Sequence, residues 1–269
     1  MRRLLSFPCD GARLAATLDH AGTDDARTGL LIVTGGTEIR SGAHGGLAAL
    51  ADAVAAAGYP VFRYDRRGVG DSEGDDPGFA AAGPDMAAAV AAFRSAVPGL
   101  ARIAGFGLCD GASALALHHR AAGIDALLLA NSWLVAPEAG LPPPAAIRRH
   151  YRARLTSVEG WKRLLGGRFD ARQLWRGLRA AGAPPANGLA AQVSGALDES
   201  DAAVTFLVAS GDATAIAFEA EFARPAFAGV RGRAQVHRLD SASHSFAGAR
   251  ARAWLAGTVI AALGRIGRS

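Results

Sequence analysis

An α/β fold, a mostly parallel sheet covered by helices on both faces, is predicted from three observations. Apolar runs of strand length recur along the chain, and Ala-rich segments of helical length separate them. The chain has 269 residues, 50% of them hydrophobic and 20% charged, which is enough apolar surface for one large domain and excludes a disordered or collagen-like polymer.

The elements follow in order. Arg3 to Phe7 and Arg13 to Leu18 read as two opening strands around a Cys9-Asp10-Gly11 turn, an antiparallel edge, followed by a polar loop from Gly22 to Thr28. Gly29 to Thr34 is a continuous apolar run, as a strand buried on both faces requires. A glycine-rich loop leads to a helix from Gly46 to Ala57 that stops at Gly58, and Tyr59 to Tyr64 is the next strand. A loop full of Asp, Gly and Arg precedes a helix over Pro84 to Ala96, a strand over Ala101 to Phe106, a helix that begins near Asp110, and a strand over Ala126 to Leu129. From 134 to 198 the texture turns Arg- and Trp-rich after a Pro142-Pro143-Pro144 run, with helical periodicity, so this stretch is predicted to be a helical lid inserted between core segments 1–133 and 199–269. Ala203 to Ala209 and Ala234 to Leu239 restore the strand pattern, and Arg250 to Leu263 closes the chain as a helix.

The net charge of +5 would suit a polyanionic partner, yet Lys162 is the only lysine, so an arginine-biased composition accounts for the basicity without nucleic acid. Nine arginines and Lys162 fall between Arg148 and Arg179, against Glu159 and Asp170. That segment reads either as the solvated face of a lid whose Trp161, Phe169 and Trp175 pack over a pocket, or as a peripheral contact with an anionic surface. Two cysteines make no disulfide framework, and the basic start lacks the apolar run of a signal peptide, so a reducing, cytoplasmic setting is expected. The longest apolar stretch, Ala126 to Pro137, is interrupted by Asn131 and Ser132 and falls short of the roughly 20 residues of a membrane span. No metal motif is present, and the loop at Gly35 lacks the lysine of a phosphate-binding loop, so no cofactor is expected.

The chemistry concentrates at Gly107-Leu108-Cys109-Asp110-Gly111, where a strand runs into Gly-x-Cys-x-Gly and then into a small-residue helix. This is the layout of a nucleophile elbow with cysteine in place of serine; side chains at the flanking glycine positions are expected to collide with the nucleophile. The following helix N-terminus favours a thiolate, and Asp110 would oppose it unless its carboxylate points elsewhere. The competing reading of Cys109 is a small buried hydrophobe.

Four segments extend the match. Leu31 to Thr37, the Asp65-Arg66-Arg67-Gly68-Val69-Gly70-Asp71-Ser72 loop, Val208 to Asp212, and Ser241 to Phe246 around His244 together resemble the α/β-hydrolases, over nearly all the chain except the lid. The resemblance implies a mostly parallel sheet with a helical lid, Cys109 as nucleophile, Asp212 as acid and His244 as base, in the chain order of that fold. It also implies an oxyanion hole from the backbone N–H groups of Asp110 and Gly36, with Thr37 as the alternative second donor. More narrowly, Gly107 to Ala114, the Gly35-to-Gly42 loop and Ser243-His244-Ser245-Phe246 resemble the exosortase A system-associated hydrolase 1 group, which accompanies bacterial extracellular polysaccharide clusters.

The chemistry expected of such a site is attack of the Cys109 sulfur on an acyl carbonyl and release of the acyl group to water, on an ester or thioester that is free, carrier-linked or lipid-linked. The alternatives are transfer of the same acyl group to an alcohol, and a non-catalytic interaction module. Asp212 has a second reading as a helix cap, since Asp212-Ala213-Thr214 precedes an apolar stretch; Asp198 and Asp201 are the rival acids. His44 reads as a loop histidine, and Asp65, Arg66 and Arg67 as braces of loops near the site.

Overall fold

The computed structural model describes residues 1–20, 26–135 and 188–268. Residues 21–25, in the expected polar loop, and most of the expected lid, with its arginines and its Trp161, Phe169 and Trp175, lie outside the described residues.

The described residues form an eight-stranded sheet in the order β1-β2-β4-β3-β5-β6-β7-β8. The strands are β1 (Arg2–Cys9), β2 (Ala12–Asp19), β3 (Thr28–Val33), β4 (Val61–Tyr64), β5 (Arg102–Leu108), β6 (Ala126–Ala130), β7 (Ala203–Ala209) and β8 (Gln235–Leu239). β1 pairs with β2, and β2 with β4, in antiparallel register; every other neighbouring pair is parallel. The antiparallel edge arises because the Asp10-Gly11 turn folds β2 straight back on β1, with both residues at positive φ. β3 and β6 are buried along their whole length, as their unbroken apolar sequences require.

Helices cover both faces. On one side α1 (Gly46–Ala56) and the C-terminal helix Ala249–Ile266, here α7, enclose a core with Leu30, Ile32, Phe106, Leu128 and Leu207. On the other, α2 (Gly83–Ala96), α3 (Asp110–Ala122) and α4 (Leu189–Asp198) pack with Phe62, Ile103, Leu127 and Phe206. α4 is the described part of the expected insertion, and it buries Leu189, Val193 and Leu197 in this second core. Two helices beyond the expected set, α5 (Ala213–Phe222) and the short α6 (Ala228–Arg233), fill the crossover from β7 to β8. Four phenylalanines cluster there: Phe206 of β7 lies 4.7 Å from Phe218 and 5.0 Å from Phe222, and Phe222 lies 5.7 Å from Phe227. Among the described residues no helix is long and apolar enough to cross a membrane, and no group of three or more His, Cys, Asp or Glu could hold a metal ion.

Candidate active site

The parallel strands deliver their C-terminal ends to one edge of the sheet, and the predicted site residues lie in the loops that leave those ends. β5 ends at Leu108 and α3 begins at Asp110, so Cys109 alone makes the turn. Its backbone stands at φ 58°, ψ −125°, a conformation that costs a side-chain-bearing residue on the order of 1–3 kcal/mol. The turn is held from outside: Cys109 N–H donates to Ala130 C=O at 3.0 Å, and Cys109 C=O accepts from Ala112 and Trp133 N–H, each at 3.1 Å. The Ser113 hydroxyl donates to Trp133 C=O and ties α3 to the same segment.

The glycines flanking Cys109 serve this turn, with a correction to the expected reason. A Cβ on Gly107 would lie 2.6 Å from the Gly111 carbonyl oxygen and 2.7 Å from Ala112 N, and one on Gly111 would lie 2.7 Å from the Val33 carbonyl oxygen. The collision is therefore with the start of α3 and the end of β3, not with the nucleophile. The first approach lets β5 and the start of α3 close into the turn, and the second sets the distance between the elbow and the loop after β3.

Asp212 follows β7 and His244 follows β8, and 3.1 Å separates His244 Nδ1 from Asp212 Oδ2. The same oxygen accepts Ala215 N–H at 3.0 Å as the N-cap of α5, so the two readings of Asp212 hold together: the cap fixes the carboxylate that holds the imidazole. Asp212 is buried, whereas the His244 ring is 40% exposed and can meet a substrate. Hydrogen bonding to Asp212, and next to Cys109, pushes His244 up to about 10, against the opposing effect of burial. Such a ring is an imidazolium at neutral pH, and its Nδ1–H donates to Asp212. Because this pKa is raised above the unfolded value of 6.5, the stability it contributes is fully present below pH 6.5 and is lost as pH rises through about 10. The thermal midpoint advantage of the wild type over His244→Gln is accordingly expected to shrink between pH 7 and 10; an advantage that grows over that range contradicts the pairing.

The oxyanion loop departs from expectation at Gly36. Its amide donates to Asp110 Oδ1 at 2.7 Å, so a carboxylate already occupies the N–H expected to be the second donor. The glycine at position 35 makes room for this, since a Cβ there would run into Asp110 Oδ1. Asp110 thus points to the loop, and its negative charge is met by the amide. The turn is closed by Glu38 N–H to Gly35 C=O at 3.0 Å, which leaves the Thr37 amide with no acceptor among the described residues. Arg66, fully buried, donates to Gly36 C=O and pins the loop from below. Asp65, also fully buried, accepts from Arg40 N–H at 2.6 Å and from the Arg40 guanidinium. Arg67 binds Asp85 at 2.6 Å, so the three residues brace loops as predicted.

The rival acids lie elsewhere: Asp198 ends α4 beside Gly229, and Asp201 is exposed ahead of β7. His44 is exposed in the turn before α1, and its carbonyl accepts from Arg252 at 3.3 Å. One residue escaped the sequence reading. Asn131 figures there only as an interruption of an apolar run, yet it lies fully buried at the end of β6, in contact with both β7 and the His244 loop. A polar residue at the end of a wholly apolar buried strand is the signal that could have found it.

A cavity of about 200 Å³ adjoins the site between α1 and α7, walled by Leu47, Leu50, Phe106, Leu108 and Leu255. Glu38 and Ser245 are among its polar lining, and burial pushes the Glu38 carboxyl up despite a 2.5 Å hydrogen bond from Ala43 N–H.

A model of the alpha/beta hydrolase family matches residues 35–258. No curated protein matches the chain. Among solved structures, an esterase of Pyrococcus furiosus is similar at 14% identity and a TM-score of 0.65, covering 98% of this chain and 91% of its own. A hyperthermophilic esterase of the archaeon Pyrobaculum calidifontis is similar at 14% identity and a TM-score of 0.63, covering 100% and 84%. The thioesterase domain of the curacin biosynthetic pathway is similar at 16% identity and a TM-score of 0.56, covering 98% and 99%. At these identities the likeness is one of fold.

Proposed function

The chain belongs to the alpha/beta hydrolase family, and on that premise we propose that it hydrolyses an ester or thioester through a Cys109 acyl-enzyme, with His244 and Asp212 completing the triad. The observation that carries this reading is the strained Cys109 turn at the head of α3, together with an imidazole that Asp212 holds protonated. His244, bonded to Asp212, takes the Cys109 proton or already holds it, and the sulfur attacks the acyl carbonyl. The carbonyl π electrons move to oxygen, and the amides of Asp110 and Thr37 receive that charge, since the Gly36 amide is committed to Asp110. As the tetrahedral adduct collapses, His244 gives its proton to the departing alcohol or thiol. The neutral ring then takes a proton from water, whose oxygen attacks the acyl-sulfur carbonyl; the acid leaves, and sulfur and ring return to their starting state.

The esterase and thioesterase neighbours support the substrate class, and thiolate chemistry favours activated esters and thioesters over amides. Turnover of an aryl acetate or an acyl thioester, with release of free acid, is the expected result; a purified, folded protein that turns over neither contradicts the reading. We assign the acyl tail to the cavity beside Leu108. Leu108 precedes Cys109, Ser245 follows His244, and Glu38 belongs to the oxyanion loop, so each segment that holds a reacting group also lines this space. Ala253→Phe, which fills it, is expected to lower kcat/KM for a hexanoyl ester by roughly fourfold per excluded methylene and to spare the acetyl ester. Equal effects on both esters contradict the assignment.

Of the expected lid at 134–198, α4 packs in the second core instead of over the site; the stretch before it is proposed as the lid, and a reducing compartment as the setting that keeps Cys109 a thiol. A place beside an exosortase and extracellular polysaccharide system is proposed from the motifs at Gly35 to Gly42, Gly107 to Ala114 and Ser243 to Phe246 alone.

A further inference from the structure

We propose that Asn131 is a positioning residue: its carboxamide fixes the His244 loop against the Asp212 loop and thereby sets the contact between imidazole and carboxylate. Asn131 follows β6, is 1% exposed, and sits at φ 40°, a left-handed conformation that asparagine tolerates better than most residues. Its backbone N–H donates to Leu207 C=O at 3.0 Å, which anchors it to β7. Its side chain faces two ways. Oδ1 accepts Ala209 N–H at 2.8 Å, and Nδ2 donates to the backbone carbonyl of His244 itself, also at 2.8 Å.

Two links continue from the end of β6 to the acid and the nucleophile. Ala209 C=O accepts Asp212 N–H at 2.9 Å, so a single residue separates the Asn131 carboxamide from the backbone of the acid. On the other side, Ala130, the residue before Asn131, accepts Cys109 N–H at 3.0 Å. The end of β6 is thus bonded to the nucleophile turn, the acid strand and the histidine loop, although it contributes no reacting group. The chemistry of the position is specific to asparagine. A carboxamide offers a donor and an acceptor on one planar group; an aspartate could hold Ala209 but not the His244 carbonyl, and a leucine could hold neither. The Asn131 bond to Ala209 N–H is buried, so loss of the side chain leaves that N–H without its partner.

His244 and Asp212 meet through one hydrogen bond between two loops that are not adjacent in sequence, 32 positions apart. Gly211 N–H donates to Ser241 C=O at 2.8 Å at the start of the His244 loop, but the Asn131 clamp is the bond made to the backbone of His244 itself, and without it the imidazole can shift away from Asp212. The 3.1 Å contact then lengthens, and its hold on the ring proton weakens.

This inference rests on the pairing of His244 with Asp212 proposed above, but not on ester hydrolysis, and the test reads the pairing without turnover. The His244 ring is titrated by histidine side-chain NMR in the wild type, Asn131→Ala, Asp212→Asn and the double variant. Asn131→Ala is expected to lower the His244 pKa from about 10 toward 6.5, by roughly one pH unit or more. In the Asp212→Asn background, removal of Asn131 is expected to change it no further, because the contact through which Asn131 acts is already gone. A folded Asn131→Ala protein whose His244 titrates as in the wild type overturns the proposal, as does an equal drop in the Asp212→Asn background. Asn131→Gly, which relaxes the positive φ, serves if the alanine variant does not fold; failure of both to fold assigns Asn131 to folding alone and also overturns it. A wild-type protein that shows the high titration and the Asn131 effect but cleaves no ester would count against hydrolysis and leave the positioning role standing.

Discussion

Cys109→Ala is expected to abolish aryl-ester turnover, lowering kcat by roughly 10³-fold or more, while the thermal midpoint stays close to that of the wild type. The asymmetry follows from the site. In the proposed mechanism the sulfur is the attacking atom, and the hydroxyl nearest it along α3, Ser113, is buried and donates to Trp133 C=O. The loss to stability is small because Cys109 is only partly buried, and its sulfur sits at the surface of the core formed by α1 and α7. His244→Ala is expected to cut turnover to a similar extent, since members of a triad act as a unit and their losses do not add. Turnover of Cys109→Ala within tenfold of the wild type would remove cysteine from the mechanism.

Gly111→Ala is the second large effect, and it reaches both stability and catalysis. The added methyl would stand 2.7 Å from the Val33 carbonyl oxygen and 2.8 Å from the Thr34 carbonyl carbon, both of them backbone atoms at the end of a fully buried strand. Neither can turn aside as a flexible side chain could, so α3 and β3 must part. Overpacking of this kind costs about 1–3 kcal/mol. The parting also moves the loop from Gly35 to Glu38 away from Cys109, and displacement of reacting groups by about 1 Å can cost 10²-fold in rate. A lower thermal midpoint together with a fall in kcat of roughly that size is expected, whereas Ala112→Gly in the same helix turn should lower stability without a comparable loss of rate. A Gly111→Ala protein with wild-type kcat would show that the elbow and the oxyanion loop are not held together through this contact.

The sequence carries the parts of this site that backbone sterics and strand patterning control. Gly107 and Gly111 are legible because a turn this tight excludes side chains, and β3, β6 and β7 are legible because strands buried on both faces read as unbroken apolar runs. Asp212 stands out because it follows such a run, and His244 because it lies after the last strand, 32 positions beyond Asp212. What stayed hidden depends on contacts between segments far apart in the chain. The Asp110 carboxylate reaches a loop 74 positions earlier, and the Asn131 carboxamide a loop 113 positions later, and neither partner can be read from local pattern. The same holds for α5, whose residues look like an undecided apolar stretch until Asp212 caps them and Phe218 and Phe222 find Phe206. The lesson of Gly36 is narrower. The loop is legible from the resemblance of Leu31 to Thr37, but which of its amides is left to meet a substrate depends on where the Asp110 side chain points.

The central claim, that the Cys109 sulfur carries the acyl group, is tested most directly by intact-protein mass spectrometry after a brief exposure to an aryl ester, with the site located by peptide mapping. One acyl group on Cys109, absent from Cys109→Ala and formed far more slowly in His244→Ala, is the expected result. An acyl group on any other residue, or ester turnover that continues while Cys109 is blocked by alkylation, would contradict it.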